Sequence, residues 1–345
     1  MSLMVLVTFM GSCKNIAKMK MIVTGGAGFI GSNFVRHIIQ KYPNYNLVNV
    51  DKLTYAGNKD NLSGLDGLGN YRFVQEDICN KSAMSEIIGE GDIVVNFAAE
   101  SHVDNSILDP GIFIKTNVLG VQNLLDVARN NKAKLFVQIS TDEVYGSLRF
   151  DQESSVEHHN LNPSSPYSAS KAAADLLCLA NVKTFGQPVI ITRSSNNFGP
   201  YQFPEKVIPL FVTNLLRGKK VPLYGEGKNV RDWIHVLDNC EAIDFVIHVG
   251  KVGEIYNIGG GTEVTNIELT NIILSEMGKD SGFIERVKDR AGHDLRYSLD
   301  SSKIKLIGWA PKYNFTEALK QTIDWYTNNE SWWAPLKNIQ GRRTS

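Results

Sequence analysis

IVTGGAGFIGSNFV, residues 22–35, sets four glycines, Gly26 among them, between an apolar run and the first turns of a helix-like stretch. Gly25, Gly28 and Gly31 form GxxGxxG. That spacing lets a chain turn tightly out of a strand, lets a pyrophosphate approach the helix N-terminus, and lets the helix pack back on the strand. The competing reading is a glycine turn that holds nothing, so the surroundings must decide. Asp51 ends the second β-rich run, 20 residues beyond Gly31. A carboxylate there accepts hydrogen bonds from an adenosine ribose and repels a 2′-phosphate, which favours NAD over NADP. Asp77 and Ile78 follow the third run and fit an adenine-side contact, with a turn-capping carboxylate as the equal alternative for Asp77. FAAESH, residues 97–102, follows the fourth run and would lie beside the pyrophosphate and the nicotinamide half.

Outward from the glycines, β-rich runs alternate with amphipathic stretches: MIVTG, SNFVRHIIQKY, NLVNVD, YRFVQEDI, AMSEIIGEG, DIVVNFAA, GVQNLLDVARNN, KLFVQIS, the long SPYSASKAAADLLCLANVKTFG, and PVIITR. Strands joined through helices imply parallel pairing. The expected fold class is therefore α/β: a doubly wound, mostly parallel Rossmann sheet of about six strands, with a smaller α/β lobe. The texture changes after Arg193, where NNFGPYQFPEKVIP carries several Gly, Pro and aromatic residues and reads as an irregular wall. The expected organisation is an N-terminal extension over 1–19, a dinucleotide domain over 20–193 with a returning segment at about 230–258, and a lobe from 194–229 and 259–345. Within the returning segment, RDWIHVLDNCEAIDFVIHVG reads as a strand and helix rejoining the sheet, and GEIYNIGGG as a further strand.

The 345 residues carry 36 Lys+Arg and 36 Asp+Glu. No net field favours nucleic acid or an anionic membrane, and no basic stretch with interleaved aromatics supports an RNA or DNA partner. Cys13, Cys79, Cys178 and Cys240 lie far apart, so neither a zinc pattern nor a disulfide is expected, and a reducing, cytoplasmic compartment is. No metal site is expected; His158 and His159 sit in a polar segment that reads as a solvated loop. The apolar opening MSLMVLVTFMG has no basic flank and falls short of a membrane span. It reads as a leader or an extension of a soluble protein.

Tyr167 and Lys171 form YxxxK, which on a helix puts phenol and ammonium on one face. A neighbouring cation, together with an oxidised nicotinamide, would lower the phenol's pKa and make it a base toward a sugar or alcohol hydroxyl. A surface helix pair is the bland alternative, made remote by the strand ending in STDEVYG just before it. Together, TGGAGFIGSNF, STDEVYG, YSASKAAAD and NNFGPYQFPEKVIP resemble the extended short-chain dehydrogenase/reductase superfamily, and within it the dTDP-glucose 4,6-dehydratases. The resemblance runs from Met21 to about Tyr326, in order and at spacing. Asn105 departs from it, since AAESHVD is usually followed by Arg in this family; that puts one local contact in doubt.

Thr141, Asp142 and Glu143 carry the distinction within that superfamily. A simple dehydrogenase or a 4-epimerase needs Tyr, Lys and a Ser or Thr, with no use for two carboxylates here, whereas an elimination needs them. Two carboxylates that merely cap the following helix are the structural alternative. The resemblance implies that Tyr167, held by Lys171 and assisted by Thr141, takes the O4 proton of a hexose as C4 gives hydride to NAD. Glu143 would then remove the C5 proton while Asp142 protonates the departing O6, and NADH would return its hydride to C6. It further implies cofactor contacts from Phe29, Ile30, Lys52, Thr54, Ala98, Ala99, Glu100, Thr116 and Asn196. On the nucleotide-sugar side it implies His102, Thr141, Asn197, Lys206, Arg231, Asn266, Arg296 and Tyr297, with Arg231 suited to bidentate phosphate binding. A homodimer through a four-helix bundle, and a place in deoxysugar formation such as the rhamnose route, are also implied. The open alternatives are a UDP-glucose 4,6-dehydratase, an epimerase or decarboxylase of the same fold, and a non-catalytic NAD sensor.

Overall fold

Seven short apolar runs that can be covered on both faces become one sheet. In the computed structural model, which describes residues 19–289 and 292–341, these are β1 (Lys20–Thr24), β2 (Asn46–Asp51), β3 (Tyr71–Gln75), β4 (Ile93–Asn96), β5 (Leu135–Thr141), β6 (Val189–Ser194) and, much later, β10 (Ile255–Ile258). The expected N-terminal extension, apart from Met19, and Cys13 lie outside the described residues. The strand order is β10-β6-β5-β4-β1-β2-β3, and every neighbouring pair is parallel. Chain direction across the sheet reverses between β1 and β4. In such folds the crevice beyond the C-terminal ends of those two strands is where ligands bind.

One face of the sheet is covered by α1 (Phe29–Lys41) and α8 (Val236–Val249), through Phe34, Val35, Ile38, Ile243 and Val246. The other is covered by α2 (Lys81–Ile87), α5 (Val121–Asn130) and α6 (Pro166–Phe185), through Met84, Leu124, Leu125, Ala174 and Cys178. Between β4 and α5 the chain makes two short helices, α3 (Val103–Leu108) and α4 (Pro110–Phe113), and then a π-helical turn, Ile114–Gly120. A buried polar ladder stitches the strands at the reversal: Thr24 Oγ1 donates to Asn96 Oδ1 at 2.6 Å, and Asn96 Nδ2 to Gln138 Oε1 at 2.8 Å.

The remaining strands build the lobe. β7 (Asn196–Phe198), β9 (Val230–His235) and β11 (Glu263–Thr265) form a three-stranded sheet, and β8 (Val221–Tyr224) pairs with β12 (Ile284–Val287). Around them pack α7 (Val207–Leu216), α9 (Asn266–Glu276), α11 (Phe315–Asn328) and α12 (Glu330–Gly341), with a core that includes Phe198, Phe211, Trp233, Leu319 and Trp333. From the same later part of the chain, α10 (Ser302–Leu306) lies against β10 of the large sheet. The RDWIHV strand therefore does not rejoin the large sheet. As β9 it has both edges occupied, by β7 in parallel and β11 antiparallel, while β10 takes the place beside β6. Among the described residues no helix is long and apolar enough to cross a membrane.

α1, which begins at the glycine turn, is anchored to α8 by one buried carboxylate. Asp244 Oδ2 lies 2.8 Å from His37 Nε2 and 2.7 Å from Lys41 Nζ, while its Oδ1 lies 3.0 Å from His248 Nδ1. Burial alone would push this carboxyl up, but its donors His248, His37 and Lys41 outweigh that and hold it far below the usual carboxylate range. Its hydrogen bond in turn raises the His248 imidazole. A raised imidazole contributes stability below its ordinary value near ~6.5 and loses it as pH rises through the folded-state value. Asp244→Asn should cost about 3–5 kcal/mol, the scale for breaking a buried ion pair. The gap in thermal midpoint between wild type and variant should narrow from about pH 6 to about pH 9, which calorimetry at both ends would measure.

Candidate active site

The strand-to-helix turn brings backbones closer than a side chain permits. Gly25 has φ +73°, and a Cβ there would stand 2.4 Å from the backbone nitrogen of Ala98, at the end of β4. A Cβ on Gly31 would stand 2.3 Å from the carbonyl oxygen of Gly25. The turn is pinned from the next strand, because Asp51 accepts from the backbone N–H of Ala27 at 2.9 Å and of Leu53 at 2.8 Å. Burial pushes the Asp51 carboxyl up and these two amides pull it back. This geometry leaves a cradle of backbone and a carboxylate at the mouth of a cavity of about 310 Å³.

Every residue expected on the cofactor side lines that cavity: Gly25, Gly28, Phe29, Ile30 and Gly31 from the turn; Asp51, Lys52 and Thr54 after β2; Asp77 and Ile78 after β3; Ala98, Ala99 and Glu100 after β4; then Thr116, Tyr167, Lys171 and Asn196. Lys52 Nζ stands 2.7 Å from Asp77 Oδ2, closing the wall at the β2–β3 end. Thr116 lines the cavity from within the π-helical turn, a conformation frequent at functional sites. Asn117, in the same turn, exchanges hydrogen bonds of 2.9 Å with the backbone N–H and carbonyl of Glu100 and donates to Ser170 Oγ on α6.

At the opposite end, β5 stops at Thr141 and a 3₁₀ turn, Asp142–Tyr145, follows. Thr141 Oγ1 donates to Asp142 Oδ1 at 3.1 Å and accepts from the Glu143 N–H at 3.3 Å. The threonine is thus the side chain that caps the turn, and the two carboxylates fall in its first turn. α6 starts at the Ser165–Ser168 capping box with Pro166 in its first turn, and so presents Tyr167 and Lys171 one turn apart to the same corner. Lys171 Nζ donates to the Ile139 carbonyl at 2.5 Å, and burial pulls its ammonium down to about 8.

This corner is short of positive charge. Burial, followed by the charges of Glu143 and Asp232, raises the Asp142 carboxyl well above its ordinary value, and its Oδ2 is buried with no hydrogen-bond partner. Burial pushes Asp232 up to about 6. The Tyr167 phenol is also pushed up, by burial and then by Glu143 and Asp142, against a weaker pull from Thr141. Desolvation and the two facing carboxyls set this direction, whereas the lowering expected from the sequence is that of Lys171 acting together with an oxidised nicotinamide.

Of the residues expected on the substrate side, Thr141, Asn197 and Lys206 line the cavity, and His102, Arg231, Asn266, Arg296 and Tyr297 do not. His102 caps α3 through Nδ1 and lies 3.7 Å from Glu205. Arg231 is buried, donates to the carbonyls of Val230 and Asp294, and stacks 4.3 Å over the Tyr297 ring; its charge pulls the Asp142 carboxyl down. Arg296 forms a two-pronged ion pair with Glu263, and Asn266 is the first residue of α9. Gln202, Phe203 and Glu205 also line the cavity. They stand in the NNFGPYQFPEKVIP wall, and adjacency to Lys206 was the only signal that could have pointed to them.

A family model described as GDP-mannose 4,6 dehydratase matches residues 22–322. A dTDP-glucose 4,6-dehydratase of Streptomyces niveus is 49% identical over 328 residues, covering 93% of this chain and 96% of that protein. The crystal structure of DesIV, a dTDP-glucose 4,6-dehydratase from Streptomyces venezuelae with NAD bound, superposes with TM-score 0.90 at 50% identity, covering 92% of this chain and all of that one. A UDP-glucose 4-epimerase of Thermus thermophilus, complexed with NAD, superposes with TM-score 0.82 at 29% identity over 90% of this chain and all of that one.

A carboxyl whose folded-state pKa is raised costs stability as pH climbs from its unfolded value, near ~4, toward the folded one. Asp142→Asn does not titrate, so its stability relative to wild type should increase steadily from about pH 4 to neutrality. Chemical denaturation at several pH values would show this, and a pH-independent difference would mean that Asp142 is ionised in the folded protein.

Proposed function

This chain belongs to the GDP-mannose 4,6-dehydratase family, and we propose that it is an NAD-dependent hydro-lyase converting dTDP-glucose to dTDP-4-keto-6-deoxyglucose and water. The observation that carries this reading is the pair of buried Asp142 and half-buried Glu143 beside Tyr167, in a corner whose other parts suit oxidation of a sugar hydroxyl. The residues present fit the dinucleotide. The backbone cradle at Gly25 and Gly31 would be filled by any Cβ, and Asp51 stands where a ribose diol would need an acceptor. The acid-rich corner, with its raised phenol, requires a cation beside it, which an oxidised nicotinamide meets.

When bound, NAD would take hydride from C4 of the sugar and return it at C6, ending the turnover unchanged. Tyr167 removes the O4 proton, with Thr141 in hydrogen-bonding reach of the phenol and Lys171 held against the Ile139 carbonyl one helical turn away. The ketone at C4 acidifies C5–H, and Glu143 takes that proton. Asp142, its carboxyl raised by burial and neighbouring charge and so suited to act as an acid, gives its proton to O6 as the C6–O6 bond breaks and water leaves. An epimerase would need neither carboxyl. The nucleotide half would extend past Asn197 and Lys206 toward Arg231, with Asn266, Arg296, Tyr297 and His102 as outer contacts.

We also read the product as an intermediate of deoxysugar formation, rhamnose included, made in the cytoplasm by a homodimer. The dimer is supported by exposed apolar side chains around α5 and α6, Leu119, Leu176 and Phe185.

Substrate deuterated at C4 should give product deuterated in its C6 methyl group, with the C5 hydrogen drawn from solvent; mass analysis of parallel dTDP-glucose and UDP-glucose reactions would identify the base. Glu143→Gln should lower turnover by roughly 10²-fold or more while leaving C4 oxidation possible, seen as reduced nicotinamide absorbance. Label recovered at C4, or full activity in Glu143→Gln, would overturn the dehydratase reading.

A further inference from the structure

The wall of the cavity and the C-terminal helices are tied to the glycine turn through a residue that touches neither cavity nor substrate. Asn61, buried in the loop between β2 and β3, donates from Nδ2 to the Ala27 carbonyl at 2.9 Å and accepts at Oδ1 from the Trp332 indole N–H at 2.9 Å. The same Ala27 carbonyl accepts from the Asn58 N–H at 3.0 Å, and the Gly28 N–H donates to the Gly25 carbonyl at 3.2 Å. The peptide plane between Ala27 and Gly28 is thus held at both of its polar ends, and its carbonyl is reached from α12 through one amide. Because an amide has a donor end and an acceptor end, turning Asn61 over would break both bonds at once.

Other contacts bring the wall into the same unit. Trp332 lies edge-on to Tyr201 at 5.8 Å and Trp325 at 5.1 Å, and Tyr201 has φ +69°. Arg36, on α1, sits 5.3 Å over the Tyr201 ring while donating to the Asn61 carbonyl. Asn33, also on α1, donates to the Pro200 carbonyl at 3.1 Å, and Tyr326 OH to that of Gln202 at 2.6 Å. Tyr201 directly precedes Gln202 and Phe203, which line the cavity.

We infer that Asn61 and Trp332 are positioning residues for the dinucleotide: their hydrogen-bonded link fixes the Ala27–Gly28 peptide, so that α12 of the lobe sets how tightly the glycine turn holds its ligand. The inference rests on the NAD reading above. Aligned hydrogen bonds reinforce one another in a low-dielectric interior, so the loss of the indole donor is felt at the turn and not only at Asn61.

Trp332→Phe keeps the aromatic packing and removes only the indole N–H. Titrating nucleotide-stripped protein with NAD calorimetrically, its Kd should rise about 5- to 10-fold, the equivalent of one hydrogen bond and a partly unsatisfied acceptor. Turnover at saturating NAD should stay within about 2-fold, since the reacting groups are untouched. Asn61→Leu should weaken NAD binding at least as much, and adding Trp332→Phe to it should change little further, because both remove the same link. Trp333→Phe is the control. Its indole N–H donates to the Tyr326 carbonyl at 2.8 Å, within the lobe, so it should lower the thermal midpoint and leave the NAD Kd unchanged. An unchanged Kd in Trp332→Phe, or an equal rise in Trp333→Phe, would overturn the inference. A wild-type protein that binds no NAD would overturn the functional reading beneath it.

Discussion

The first turn of this chain passes the end of β4 at a distance that leaves no room for a side chain. With Gly25 against the backbone of Ala98, and Gly31 against the carbonyl of Gly25, β1, β4 and α1 meet at one point. That contact fixes where strand order reverses, and hence where the crevice opens. The ladder from Thr24 through Asn96 to Gln138 holds three neighbouring strands, β1, β4 and β5, in register just behind the crevice. A methyl group at either glycine would separate elements on which every later contact depends.

The second organising feature is a deficit of positive charge at the far end of the cavity. Asp142 and Glu143 stand near Tyr167 and Asp232 acts on Asp142, while the nearby lysine is itself pulled down by burial. Such an arrangement costs folding free energy and persists where the strain serves chemistry. Here burial and neighbouring charge raise one carboxyl next to another, the kind of pairing from which the proposed elimination would draw its acid and its base. Asp175 and Arg193, paired at 2.9 Å in the core beneath, show the contrasting case: a buried carboxylate with its guanidinium beside it, part of the support for α6 and not of the chemistry.

The lobe contributes more than a surface for the nucleotide. Its core joins α7, α9, α11 and α12 to the three-stranded sheet, and its aromatic edge, Trp325, Tyr326 and Trp332, rests on the wall loop, whose Tyr201 in turn meets Arg36 of α1. The wall loop that supplies Gln202 and Phe203 to the cavity is therefore held from α11, through Tyr326. The single carboxylate of Asp244 plays a comparable part between α1 and α8, gathering His37 and Lys41 from the one and His248 from the other.

Local pattern alone determined the parallel sheet, the glycine cradle, Asp51 and the pairing of Tyr167 with Lys171, because each is specified by spacings of a few residues along one strand or helix. The carboxylates of TDE were legible for the same reason: their place follows from the end of one strand. Tertiary structure alone decided that RDWIHV joins the small sheet, because edge pairing depends on which partner arrives and not on the strand's own composition. It also decided that Arg296 is neutralised by Glu263 and that Arg231 sits over Tyr297, outside the cavity, since a guanidinium's partners lie wherever the chain folds back. The direction of the Tyr167 shift was likewise hidden, being a sum over burial and charges from two other elements. The link from Trp332 to Ala27 passes through Asn61, 271 positions away from the indole, a distance at which no periodicity or spacing carries information and only the packed structure brings the groups together.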